Sequence, residues 1–272
     1  MEVQFWGVRG TFPSPGKDKT RYGGHTPCAS VLSGSGEVIV VDAGTGIKDL
    51  GDCLVRERGE GPLKVTLFLT HFHLDHVMGF PFFAPLFIPD SEITIYAPAL
   101  PAETERYLGG LVAGKYFPVE LFETKSRKTY LETPRGSLEL GGVKVTHCRL
   151  RHPQGGFAYR FEEEGKSVVF ATDTEHPAEG VDEDLAGFAS GVAHLVSDAT
   201  FTPDEYRSGK QGWGHSTWLE GTRLAAAANA ENLLLSHLNP DHGDDLVDGL
   251  AASAREHFRR TSAARQGLRL FV

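Results

Sequence analysis

A chain of 272 residues suffices for one large layered domain or two small ones, and 40% hydrophobic against 23% charged residues excludes a disordered, collagenous or membrane-spanning class. Lys and Arg number 27 against 36 Asp and Glu, and the net charge of −9 offers no bulk attraction to a nucleic-acid backbone. Cys28, Cys53 and Cys148 are too far apart for a Cys-x-x-Cys site and are expected as reduced thiols; Met1–Trp6 lacks the features of a secretory signal, so a cytoplasmic location is expected.

In chain order, apolar and β-branched runs predict strands over 3–8, 37–41, 65–69, 93–96, 143–148, 157–161, 167–171, 193–197, 233–236 and 268–272. Helices are predicted over 47–58, after the glycine-rich turn 42–46, over 217–229, and over 244–260, which opens acidic and ends basic. Runs apolar at nearly every position, such as 65–69 and 168–171, suit strands buried on both faces between helical layers. The expected class is therefore α/β, and with no linker or internal repeat a single domain over 1–272 is expected.

Two further stretches stand out. Residues 80–89 are aromatic but broken by Pro81, Pro85 and Pro89 and are too short to span a bilayer, so they are core, lid or oligomer contact, with a homodimer through Phe82 and Phe83 allowed. Residues 103–136 are polar and basic, including 125–128 and Arg135, and read as a solvated insertion between two halves or as a substrate-facing anion patch.

The chemistry concentrates at Thr70-His71-Phe72-His73-Leu74-Asp75-His76, directly after the apolar run 65–69. In extended chain His71 and His73 project to the same side and can share one metal ion, whereas Asp75 and His76 start a turn and point elsewhere, which suits a second ion. Further candidates sit just past later strand runs: His152, Asp173 and His237. An aspartate can bridge two cations, each carboxylate oxygen binding one. His147 competes with His152, but it lies within a strand run while His152 ends it.

This pattern, with the preceding Asp42–Gly46 turn, resembles the metallo-β-lactamase superfamily across nearly the whole chain. The resemblance implies an αββα sandwich of two mixed sheets flanked by helices, with two divalent metal ions at one edge, zinc before manganese or iron. It implies that His71, His73 and His152 hold one ion, that Asp75, His76 and His237 hold the other, that Asp173 bridges them, and that Asp42 orients a ligand. The segment Gly212–Thr217, carrying His215, resembles the phosphodiesterase branch that includes ribonuclease Z and phosphoribosyl cyclic phosphodiesterase. Phe5–Gly10 and Arg21–Gly24 resemble bacterial proteins grouped with the latter, although the three scattered cysteines do not recreate that enzyme's structural zinc site.

The expected function is that of a binuclear metal-dependent phosphodiesterase acting through a metal-bridging hydroxide, with Asp75 and His215 catalytic and His215 protonating the leaving oxygen or stabilising charge on phosphorus. A thioester or lactam hydrolase of the same superfamily and a non-catalytic nucleotide-phosphate sensor are the alternatives. Only 20 residues separate His152 from Asp173, too few for the arm with which ribonuclease Z clamps transfer RNA. The expected partner is therefore a small phosphodiester such as a cyclic nucleotide or ribosyl cyclic phosphate, with transfer RNA and membranes not expected. Arg9 is a candidate phosphate contact, while His25, His242, Glu175 and His176 are left without a role.

Overall fold

The computed structural model describes residues 1–58 and 61–272. In chain order its strands begin with β1 (Glu2–Gly7), β2 (Cys28–Leu32), β3 (Val38–Val41), β4 (Lys64–Phe68), β5 (Glu92–Ala97) and β6 (Arg127–Glu132). They continue with β7 (Ser137–Leu140), β8 (Val143–Arg149), β9 (Phe157–Glu163), β10 (Lys166–Ala171), β11 (His194–Asp198), β12 (Asn232–Ser236), β13 (Thr261–Ala263) and β14 (Arg269–Phe271). The helices are α1 (Ile47–Arg58), α2 (Leu74–Val77), α3 (Pro101–Leu111), α4 (Glu183–Phe188), α5 (Pro203–Arg207), α6 (Trp218–Ala227) and α7 (Asp244–His257).

The strands form two seven-stranded mixed sheets, ordered β14-β1-β2-β3-β4-β5-β6 and β13-β12-β11-β10-β9-β8-β7. With helices on the outer faces this is the αββα sandwich expected from the sequence. Strand β3 shows how alternation builds it: Ile39 and Val41 enter the core between the sheets, whereas Val38 and Val40 face the layer that holds Ile47, Leu50 and Leu54 of α1. Those three lie on one face of their helix, as do Val247, Ala251 and Ala254 of α7, which close over the second sheet.

Strand direction places the site. Strands β3 to β6 run parallel in the first sheet and β10 to β13 in the second, so their carboxyl ends gather along one edge. Chain ends of parallel strands are where α/β sheets form ligand crevices. Register sets the neighbours, with Ala171 opposite Ser197 and Asp198 opposite Ser236.

Residues 103–136 depart from the sequence expectation of a solvated insertion. They contain most of α3 and the whole of β6, which pairs parallel with β5 at the sheet edge. Two of the basic side chains there are engaged by neighbours: Arg127 donates to Glu92 at 2.6 Å and Lys128 to the Ser126 carbonyl at 2.8 Å. Strands β6 and β7 are half-exposed edges carrying charged residues, so neither displays the apolar run of a central strand.

In the aromatic stretch, Phe80, Phe83 and Leu86 are fully buried, while Phe82 is 58% exposed and meets Phe117 edge-on. Among the described residues no helix is long and apolar enough to cross a membrane.

Candidate active site

The first sheet supplies one continuous segment. After β4 the chain stays extended through His71 and His73, then turns into α2, whose first turn carries Asp75 and His76. The second sheet supplies single residues at loops beyond strands: His152 past β8, Asp173 past β10 and His237 past β12. Asp42, Asp173 and His237 all take positive φ, at 62°, 58° and 54°. Non-glycine residues adopt this left-handed backbone rarely, and strain of this kind concentrates at functional sites.

Besides the trio Asp198, His215 and His237, the side chains converge in two adjoining groups of donor atoms within metal-binding reach of one another, His71 with His73 and His152, and Asp75 with His76, Asp173 and His237. Asp173 lies between them: Oδ1 is 3.8 Å from His71 Nε2 and 3.2 Å from His237 Nε2, and Oδ2 is 3.1 Å from His76 Nε2. Asp75 Oδ2 completes the second group at 3.2 Å from His237 and 3.4 Å from His76. His147 lies elsewhere, its Nε2 meeting the Pro134 carbonyl at 3.2 Å.

The donor set fits divalent cations. His71 Nε2, His76 Nε2 and Asp173 Oδ2 are buried without hydrogen-bond partners, although His76 and Asp173 approach to 3.1 Å. Buried polar atoms left unpaired in this way cost free energy unless something binds at the point they share. Meanwhile the opposite ring nitrogens are anchored, as metal-binding imidazoles require. His76 Nδ1 meets Asp42 at 2.8 Å, His71 Nδ1 meets Thr70 Oγ1 at 3.0 Å, His152 Nδ1 meets the Gly214 carbonyl at 3.0 Å, and His237 Nδ1 meets Thr200 Oγ1 at 2.9 Å.

Burial opposes ionisation of Asp75, yet His76 and His237 hold its carboxyl well below the ordinary carboxylate range. Burial, reinforced by His76, lowers the basicity of His71, favouring the neutral imidazole that ligates metals, whereas at His76 burial is outweighed by Asp173, Asp75 and Asp42, which raise its basicity.

Two glycines make this packing feasible. A side chain at Gly10 would strike the His237 ring at 2.1 Å, and one at Gly214, which has φ +84°, would strike His152 Nδ1 at 2.4 Å. The loop after Gly10 also contributes a donor, since the Thr11 amide hydrogen-bonds to Asp75 Oδ2 at 2.7 Å.

His215 stacks against His237 with ring centroids 4.9 Å apart. Its Nδ1 lies 3.0 Å from Asp198 Oδ2. Burial disfavours the charged ring, but Asp198, then Asp173 and Asp75, raise its pKa to about 9. Asp198 is fully buried and absent from the residues expected from sequence. Its two oxygens accept from the amides of Asp173, Thr200 and Ser216 as well as from His215, so it ties the loop past β10 to the His215 loop. It ends β11 as Asp173 and His237 follow β10 and β12, and that strand-end position was the available signal.

Glu175 also has a structural role here, accepting from the amides of Gly212 and Gly214 at 2.7 and 2.9 Å and from the Tyr206 hydroxyl. His176 pairs with Ser216 Oγ at 2.9 Å, His242 with Glu205 at 2.8 Å, and His25 with Thr45 Oγ1 at 3.0 Å. The expectation that Arg9 contacts phosphate fails because its side chain is entirely buried, with Nε donating to the Gly23 carbonyl and Nη1 to those of Asn239 and His242 at 2.9, 3.0 and 2.7 Å. A guanidinium held by three inward carbonyls, with Nη2 left without a hydrogen bond 3.9 Å from the Asp244 carboxylate, clasps loops and does not face a substrate.

Comparison with known proteins extends this picture. The chain is 25% identical to ribonuclease Z of Lacticaseibacillus casei over 316 aligned positions, covering 96% of this chain and 92% of that protein. Among solved structures, the metallo-beta-lactamase fold protein YhfI of Bacillus subtilis superposes with a TM-score of 0.73 at 22% identity, covering 99% and 98% of the two chains. The human short-form tRNase Z superposes with a TM-score of 0.67 at 17% identity, covering 100% and 99%. The fold, the His/Asp cluster and these relatives support a metal-dependent hydrolase.

They also overturn the expectation of a small substrate with transfer RNA set aside. Relatives named ribonuclease Z match nearly the whole chain, and their alignments exceed its 272 residues, so they contain segments this chain lacks while keeping the rest. Spacing between His152 and Asp173 tested one insertion only, and net charge averages over a surface on which nucleic acid would meet only one face. The sequence pattern of the beta-lactamase superfamily domain matches residues 38–238, well over half of the chain, and the chain belongs to that superfamily.

Proposed function

We propose that this protein is a divalent-metal-dependent phosphodiesterase that cleaves RNA. The observation that carries the reading is the His215–Asp198 pair, set at 3.0 Å beside the Asp173 carboxylate where the two donor groups meet. The relatives named ribonuclease Z point to RNA as the substrate class.

Hydrolysis adds the oxygen of water to phosphorus and breaks the bond to the leaving oxygen, which needs a proton. Asp198 engages His215 Nδ1 and thereby turns Nε2 toward substrate, where it can donate that proton. His71, His73 and His152 would hold one cation and Asp75, His76 and His237 a second, with Asp173 shared; zinc suits the donors, as do manganese and iron. When bound, such a pair supplies Lewis acidity and an activated water at neutral pH. Asp42, Thr70, Thr200 and the Gly214 carbonyl fix the orientation of the imidazoles.

The test is turnover of bis(p-nitrophenyl) phosphate and of a transfer-RNA precursor with a 3′ extension, by protein stripped of metal and reloaded with zinc or manganese. Metal-dependent cleavage of both is expected, and His215→Ala should keep its cations while losing roughly 10²–10⁴-fold in cleavage of the precursor, whose ribose oxygen needs a proton to leave. Cleavage of neither substrate by metal-loaded protein rejects the reading, and undiminished cleavage of the precursor by His215→Ala rejects its proton-donor role.

A further inference from the structure

We propose that the cleft beside His71 and His73 is a nucleobase subsite, which receives the planar base of a nucleotide attached to the phosphodiester being cleaved. The inference rests on the phosphodiesterase reading and specifies one substituent of its substrate. The cleft encloses about 390 Å³, with Phe72, Tyr107 and Phe157 as its aromatic lining and Glu103, Arg149 and Gln154 as its polar lining. That volume falls in the range of small-molecule sites, roughly 300–1,000 Å³. Because His71 and His73 also line it, a group seated there lies next to phosphorus held at the donor cluster.

The lining matches a base in two respects. Phe72 and Tyr107 form a preassembled, angled aromatic wall, meeting edge to face at 60° with ring centroids 5.0 Å apart. Aromatic faces stack on any base, while hydrogen-bonding groups at the rim meet its edges. The side chains of Arg149 and Gln154 supply such groups, since neither has a hydrogen bond or ion pair with another described residue.

A neighbouring hollow of about 330 Å³ shares Phe72 and Tyr107 but is otherwise lined by Leu74, Val77, Leu108 and Leu111. It offers a base nothing to bond its polar edges, so the wall is used from the His73 side.

The experiment compares thymidine 3′- and 5′-(p-nitrophenyl phosphate) with methyl p-nitrophenyl phosphate, which share a leaving group and differ in carrying a nucleoside or a methyl group, so that variants of the aromatic lining separate stacking of the base from contacts to the sugar. In the metal-loaded wild-type protein kcat/KM for the better thymidine isomer should exceed that for the methyl ester by about tenfold or more. Tyr107→Ala and Phe72→Leu should each lower this ratio about tenfold. Calorimetry should show thymidine phosphate binding more tightly than methyl phosphate, and the preference should shrink in both variants. A wild-type ratio near one, or a ratio and binding preference left intact in both variants, overturns the subsite. Failure to hydrolyse any ester overturns the phosphodiesterase reading, and calorimetry then decides the base preference on its own.

Discussion

The two sheets build their shares of the site differently. The first delivers His71, His73, Asp75 and His76 in one six-residue segment whose own backbone fixes their relative directions. The second delivers His152, Asp173, Asp198 and His237 one at a time, and their relative positions depend on the register of β8 through β12. A local segment needs only its own conformation, whereas the scattered set needs a correctly assembled sheet.

The strongest way to break this comparison is at the residue both groups share. Asp173→Ala removes the carboxylate that faces His71, His76 and His237, and loss of bound divalent cation from both groups is expected. Metal analysis of the purified variant should show a loss beyond the roughly 10–100-fold typical of removing an orienting partner. Full cation content would show that the two halves do not meet on this residue.

A sharper test sets one orienting carboxylate from each half against the other. Asp42→Asn, which weakens the hold on His76, should lower cation affinity roughly 10–100-fold. Asp198→Asn should lower turnover by a similar factor with a smaller loss of cation, because its side chain grips His215 directly and reaches Asp173 only through that residue's amide. Titration with a chelator alongside turnover measures both, and parallel losses in the two variants would erase the distinction.

The smallest effect belongs to Thr217, in the same motif as His215 but acting as the cap of α6 through the Glu220 amide. Thr217→Ala should cost about 1 kcal/mol in urea unfolding. A fall in turnover as large as that of His215→Ala would assign Thr217 to the chemistry.

Legibility followed the same divide. The 71–76 segment was readable because its ligand-type residues alternate within one stretch after an apolar strand, and His152, Asp173 and His237 were readable only through their places beyond strand runs. Asp198 escaped because it ends a buried strand and binds amides and a ring, work that leaves no spacing pattern. Arg9 was misplaced because an arginine's preference for water is overridden when inward carbonyls and a nearby buried carboxylate, Asp244, hold it. In the fold, the central apolar strands other than β2 were visible, while edge strands β6 and β7 and helix α3 were hidden by exposed polar residues.

The Arg9 clasp has a consequence for the order in which the chain acquires its structure. Two of its carbonyl partners lie 230 and 233 positions further along. A buried guanidinium without them would be severely unfavourable, so the turn around Arg9 cannot settle until residues 239–242 are in place. Contacts of such separation form late and slow the reaction that depends on them. A chain truncated before residue 239 would lack both of those carbonyls, so its Arg9 guanidinium would turn to water and the loop it holds would lose that anchor.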